Sequence, residues 1–166
     1  MRFKRKRRKL IINILTITIP VLSVVAIYFG LQTILSTGTP LVIVASGSMS
    51  PALETGDLVI IQGTPTNSIQ IGDIIVFNSP SGTLTIHRVT RIQTLQNGTI
   101  QFKTKGDANP DEDLYWTLEE NVHGQILHRI PYIGWITLDP AIPMTIVIIL
   151  IIIIILWPEK RRKLRR

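Results

Sequence analysis

The 166-residue chain contains no cysteine. A disulfide framework, a thiolate nucleophile and a cysteine-based zinc site are therefore excluded, and the redox character of its compartment cannot be read from the sequence. Basic charge is scarce where a folded domain would need it. Of the 18 Lys and Arg residues, seven fall in 1–9 and six in 159–166, which leaves Arg88, Arg91, Lys103, Lys105 and Arg129 for everything between. Ten of the 11 acidic residues share that middle. The formal net charge of +7 is thus a strongly basic pair of ends around an acidic centre, whereas a nucleic-acid-binding domain needs a basic stripe on its folded part. Nucleic acid is excluded as a partner. The middle also lacks helical periodicity and internal repeats.

Long apolar runs are present, one at each end. Residues 10–32 (LIINILTITIPVLSVVAIYFGLQ) carry no charge and exceed the roughly 20 residues with which a helix crosses a bilayer. A cleaved leader would share the basic start, but the apolar stretch is too long and no A-x-A-like site follows it in ILSTGTP. The expectation is an uncleaved transmembrane helix, kinked at Pro20. Residues 141–157 (AIPMTIVIILIIIIILW) form a shorter, aliphatic second span ending at Trp157, a residue suited to an interface. Basic flanks stay cytoplasmic. The sequence therefore predicts a multi-pass plasma-membrane protein with cytoplasmic basic tails at 1–9 and 158–166, an extracytoplasmic domain at 38–139, and the lipid bilayer as a partner.

That domain reads as mostly β. Short apolar runs recur as LVIVAS from 41, DLVIIQ from 57, DIIVF from 73, TLTIHRVTRIQ from 83, TIQFKTKG from 99 and HGQILHRIPYIG from 123. Asn97-Gly98 favours a type I′ hairpin turn. Asn97 also opens an N-x-T sequon, a tripeptide common by chance. Asp57 and Asp73 each follow a glycine and begin a strand pattern, which suits turn residues better than catalytic acids.

Three short segments carry chemistry when taken together: SGSMSP at 46–51, IHRV at 86–89 and KGDANPDED at 105–113. A serine hydroxyl needs a base within hydrogen-bond reach and usually a third group to orient that base. Ser48, in a turn of small residues, is a candidate nucleophile. His87, within an alternating strand pattern, is a candidate base, with His123 and His128 as competitors. Asp107, Asp111, Glu112 and Asp113 are candidate acids. The acidic segment is no EF-hand, because the alternating Asp spacing and closing Glu are missing, and no metal ligand set is expected.

SGSMSP, GDIIVF, IHRV and KGDANPDED, in that order, resemble the successive boxes of type I signal peptidases of the endoplasmic-reticulum type, a group shared by eukaryotes, archaea and some Gram-positive bacteria. The resemblance covers about 42–134. His87 stands where the common bacterial branch carries a lysine base. The resemblance implies a small β-rich signal-peptidase-like catalytic domain, here expected between two transmembrane helices, with Ser48 as nucleophile and His87 as general base. It makes Asp113, six residues after Asp107, the triad acid, and Asp107 a supporting residue of the catalytic set. Ser46, through its hydroxyl, and Ser48, through its N–H, would form the oxyanion hole. Met49 would floor the binding site, face a membrane or simply pack beneath the turn. The implied activity is cleavage of signal peptides of exported preproteins after small residues, at the membrane and in company with a secretion translocon, with no cofactor. A rival reading of the same boxes is a non-catalytic membrane-tethered β domain that binds extracellular partners.

Overall fold

The computed structural model describes residues 2–134 and 145, and within the first helix the side chains of Ile12, Leu15, Thr16 and residues 18–34. Helix α1 (Arg2–Ile34) continues through Pro20 without a break. Among the described residues no helix is long and apolar enough to cross a membrane. This corrects the expectation of a catalytic domain held between two transmembrane helices. From Thr18 onward the polar Ser23, Gln32 and Thr33 interrupt the apolar character of the helix. The 141–157 segment lies outside the described residues except for Thr145.

The helix end is tied to the sheet. Leu35 is buried, and its carbonyl accepts the Gly63 N–H at 2.7 Å. A Cβ on Gly63 would lie 1.9 Å from the Ser36 carbonyl oxygen, so only glycine permits this approach.

The rest is one antiparallel sheet of seven strands, β1 (Leu41–Ile43), β2 (Leu58–Gln62), β3 (Ile74–Asn78), β4 (Leu84–Thr94), β5 (Ile100–Lys105), β6 (Thr117–Leu118) and β7 (Val122–Ile130). Its order is β1-β2-β7-β3-β4-β5-β6. Six strands coincide with the six apolar runs of the sequence. The seventh, β6, has two residues, too few to display any period.

Successive side chains of a strand point to opposite faces. On β3, Val76 joins a cluster with Val44, Met49, Leu53, Val59, Ile61 and Ile86. Its neighbours Ile75 and Phe77 join a second cluster with Ile69, Val89 and Phe102. Burial on both faces explains why DIIVF is a continuous apolar run rather than an alternating one.

The hairpin joining β4 to β5 does turn at Asn97-Gly98, but not as a type I′ turn. That turn needs φ > 0 at both central residues; here Gly98 adopts φ +86 and Asn97 does not share it. Hydrogen bonds from Gly98 N–H to the Leu95 carbonyl and from Leu95 N–H to the Thr99 carbonyl, both 2.9 Å, define a three-residue loop closed by a left-handed glycine. The β3–β4 hairpin repeats this design with Gly82 at φ +80. The Asn97 carboxamide oxygen accepts the Thr99 N–H, which gives Asn97 a turn role.

Asp57 and Asp73 also have turn roles. Each carboxylate accepts the N–H of the residue three before it, Glu54 and Gln70, at 2.8 Å. Asp57 is fully buried and is neutralised by Arg129.

Candidate active site

Ser48 lies in a short 3-10 turn (Gly47–Met49) just beyond β1. Met49 anchors this turn: it is 1% exposed, belongs to the first core cluster and also lines the cavity in front of Ser48. Its neighbour is thereby held at the surface on a fixed base. The Ser50 N–H closes the turn onto the Gly47 carbonyl at 3.1 Å.

His87 sits on β4 with its Cα opposite Ile75 of β3, and its ring meets Phe77 edge-on at 6.4 Å between centroids. Packing thus limits the orientations open to the imidazole. Its Nε2 is 3.3 Å from Ser48 Oγ, and its Nδ1 is 2.7 Å from Asp113 Oδ2. The structure therefore brings Ser48, His87 and Asp113 into one hydrogen-bonded line from three separate parts of the chain.

Asp107 is placed elsewhere. Its two oxygens accept Arg88 Nε at 2.9 Å and Nη2 at 2.7 Å, a bidentate pair, while Arg88 Nη1 donates to the Gly72 carbonyl. The hydrogen bonds that Arg88 donates to Asp107, and secondarily the Asp107 charge, push the Arg88 guanidinium up from its usual value against an opposing desolvation cost. His87 and Arg88 are adjacent on β4 and project to opposite faces. The 106–113 loop therefore reaches around the strand and supplies a carboxylate to each.

The same loop contacts the nucleophile turn. Ala108 N–H donates to the Ser48 carbonyl at 2.9 Å. A Cβ on Gly106 would lie 2.7 Å from that carbonyl oxygen, so the loop can approach only with glycine there. Glu112 pairs with Arg91 on the exposed surface, and the hydrogen bond from Arg91 holds the Glu112 carboxyl below its usual range. Among the described residues Asp111 is not a hydrogen-bond or ion-pair partner of Ser48, His87 or Asp113. His128 is exposed on β7, and among the described residues neither it nor His123 is a hydrogen-bond partner of Ser48, Asp113 or Asp107. Among the described residues no cluster of three or more metal-ligating side chains occurs, and Asp107, Glu112 and Asp113 of the loop pair with Arg88, Arg91 and His87.

Ser46 Oγ lies 3.4 Å from Ser48 Oγ. Ser48 and His87 open onto a cavity of about 310 Å³, walled by β1 and the following residues on one side and by Thr83–Ile86 on the other. Val42, Val44, Met49, Leu84 and Ile86 make its lining apolar. β1 ends the sheet, so one of its backbone edges is unpaired among the described residues.

One member of this neighbourhood was missed by motif reasoning. Thr104, fully buried on β5, donates its hydroxyl to Asp113 Oδ2 at 2.5 Å. The only sequence signal for it was a polar residue on the inward phase of QFKT, two positions after the buried Phe102. Tyr115 lies nearby: burial pushes its phenol up, and the Asp113 carboxylate pushes it in the same direction.

Comparison with known proteins agrees with this geometry. Residues 22–126 match the Peptidase S24-like family. The chain is 34% identical over 143 residues to the signal peptidase complex catalytic subunit SEC11C of Homo sapiens and of Canis lupus familiaris, covering 81% of this chain and 74% of each relative. It is 30% identical over 149 residues to the catalytic subunit SEC11 of Tuber melanosporum, with 80% of each covered. These relatives are subunits of a eukaryotic complex. With the absence of a membrane-crossing helix among the described residues, they correct the expectation of a multi-pass plasma-membrane protein.

Proposed function

Since the chain belongs to the Peptidase S24-like family, in the branch of type I signal peptidases of the endoplasmic-reticulum type, it is a serine endopeptidase that cleaves signal peptides, and we propose that Ser48, His87 and Asp113 perform its chemistry. The observation that carries this assignment is the line Ser48 Oγ, His87 Nε2, His87 Nδ1, Asp113 Oδ2, with gaps of 3.3 and 2.7 Å. Family membership also displaces the reading of a non-catalytic binding module.

In this mechanism His87 Nε2 takes the Ser48 proton as Oγ attacks the scissile carbonyl, and Asp113 holds the ring and stabilises the imidazolium that forms. The oxyanion faces the Ser48 N–H, which has no acceptor among the described residues, and the Ser46 hydroxyl. His87 then returns the proton to the leaving amine. Water, deprotonated by the same imidazole, attacks the acyl ester and releases the second product and Ser48. No step calls for a metal or organic cofactor. Asp107 is a positioning residue, acting on His87 through Arg88 and on Ser48 through Ala108.

The substrate's residues before the cut add as a strand to the open edge of β1, with side chains alternately entering the apolar cavity. A cavity of about 310 Å³ shared by several such residues favours small side chains such as Ala. The peptidase unit is the 38–139 domain. We further propose the secretion translocon and the bilayer surface as partners, supported by the exposed Ile19, Leu22, Val24 and Phe29 of α1.

The test is cleavage, by the purified full-length chain, of a preprotein bearing an Ala-x-Ala site, with the product N-terminus read by mass spectrometry. Wild type should cut after the second Ala and Ser48→Ala should not; cleavage by both would overturn the assignment of the nucleophile.

A further inference from the structure

The line of hydrogen bonds does not end at Asp113. On β5, Thr104 lies directly opposite Val89 of β4. Residues directly opposite in an antiparallel pair share a face, and so do residues two apart on one strand. Thr104 is therefore on the same side of the sheet as His87, and it is 0% exposed. A buried hydroxyl is costly unless it is paired, and this one is paired with the triad acid itself. Thr104 Oγ1 is 2.5 Å from Asp113 Oδ2, the oxygen that also receives His87 Nδ1 at 2.7 Å. An ionised carboxylate can only accept, so the hydroxyl proton points at Asp113. The Thr104 carbonyl in turn accepts the Asp113 N–H at 2.8 Å. Asp113 is thus clasped by one residue through both main chain and side chain.

We propose that Thr104 is a fourth, positioning member of the catalytic line, which locks the Asp113 carboxylate onto His87 and moderates its pull on the imidazolium. Two donors on one oxygen have distinct consequences. Geometrically, Oδ2 can satisfy both only in one orientation, so the carboxylate cannot swing away from Nδ1 when substrate enters. Electronically, the hydroxyl draws charge from the oxygen that faces the ring. Without it the carboxylate would stabilise the protonated imidazole more strongly and make His87 a slower donor to the leaving amine. The inference rests on the assignment of Ser48, His87 and Asp113 as the triad.

The experiment compares Thr104→Val, which keeps the shape and removes the hydroxyl, with Thr104→Ser, which keeps the hydroxyl, in the full-length chain. Ser48→Ala and His87→Ala serve as controls. Thr104→Val should lower kcat about 10- to 100-fold, the usual effect of losing a hydrogen bond to a charged group. KM should stay near wild type, because Thr104 is absent from the cavity lining. The acidic limb of the kcat/KM profile should move to higher pH, and Thr104→Ser should restore both rate and profile. A purely structural threonine would instead change the amount of folded enzyme and leave the profile in place. If Thr104→Val does not accumulate folded, Thr104→Ala is read in the same way. Wild-type turnover and profile in the hydroxyl-free variant, or failure of Ser to rescue, would overturn the role of Thr104. If Ser48→Ala or His87→Ala retained activity, the triad assignment itself would fall, and the controls separate the two results.

Discussion

Ala108 donates its backbone N–H to the backbone carbonyl of Ser48 at 2.9 Å, so the loop that carries the acid also grips the turn that carries the nucleophile. Ser48, His87 and Asp113 are spread over 66 positions of the chain but answer to a single rigid junction of β4, the 106–113 loop and the 3-10 turn.

Removing either reacting group should leave the fold intact, since Ser48 is only half-buried and neither side chain belongs to the apolar clusters. Ser48→Ala and His87→Ala are each expected to reduce kcat by on the order of 10⁴-fold or more. Unchanged circular dichroism beside absent cleavage is the required pair of readings.

The two aspartates should separate cleanly. Asp113→Asn leaves the shape but presents the wrong group to His87 Nδ1, and a loss of about 10⁴-fold is expected. Asp107→Asn weakens the Arg88 fork and tilts the loop without touching the imidazole, so a milder loss of about 10-fold is expected. The Arg88–Asp107 pair is partly open to solvent, so its stability change should stay within about 1 kcal/mol. Rate measurements on both variants, with their melting temperatures, decide the order.

Gly106→Ala is expected to damage activity beyond what one methyl suggests. The added Cβ would meet the Ser48 carbonyl oxygen and the Asn109 side chain, each at 2.7 Å. The backbone oxygen cannot yield without moving the nucleophile. Overpacking of this kind costs about 1–3 kcal/mol, and kcat should fall at least about 10-fold. A melting temperature and rate equal to wild type would refute the contact.

Stability should change with pH at both extremes in directions set by two named groups. The Glu112 carboxyl is held below its usual value by its hydrogen bond from Arg91. The unfolded chain binds that proton first as pH falls, so this contribution is present above the ordinary carboxylate range and disappears as pH drops through the folded value. It is small, because the pair is exposed. The Tyr115 phenol is pushed above 10.0 by burial and by Asp113, so the folded chain keeps its proton longer than the unfolded one. Its contribution is complete below the unfolded value and is lost as pH rises beyond it. Melting curves of Glu112→Gln should converge on wild type in acid. Those of Tyr115→Phe should show a weaker alkaline decline than wild type.

Much of this molecule could be read before folding, for reasons that differ between elements. Strands buried on one or both faces announce themselves as apolar runs, so β1 to β5 and β7 were legible. β6, at two residues, has no period to detect. Asn97-Gly98 revealed a hairpin but not its type, because both possible turns use a left-handed glycine and only the φ of the residue before it distinguishes them. Ser48 and His87 stood out from motif order, but the choice between Asp113 and Asp107 as the acid could not be settled there. That Asp107 belongs to Arg88 required knowing which face of β4 each neighbour takes. Thr104 could not be singled out at all: an inward-facing threonine on a strand looks the same whether it meets a carbonyl or a catalytic carboxylate. The apolar run at 10–32 misled most, since its length and hydropathy argue for a membrane span that the described residues do not contain.

The open edge of β1 has a further cost. A row of unpaired N–H and C=O groups recruits any extended chain, and in the absence of substrate the most abundant extended chain in a concentrated preparation is an unfolding copy of the same protein. A long edge here would seed strand-by-strand aggregation. β1 is only three residues long, preceded by Pro40 and followed within a few residues by the 3-10 turn, so an intruding strand gains few hydrogen bonds before the backbone bends away. The brevity of the strand limits the length of edge along which an intruding chain can pair.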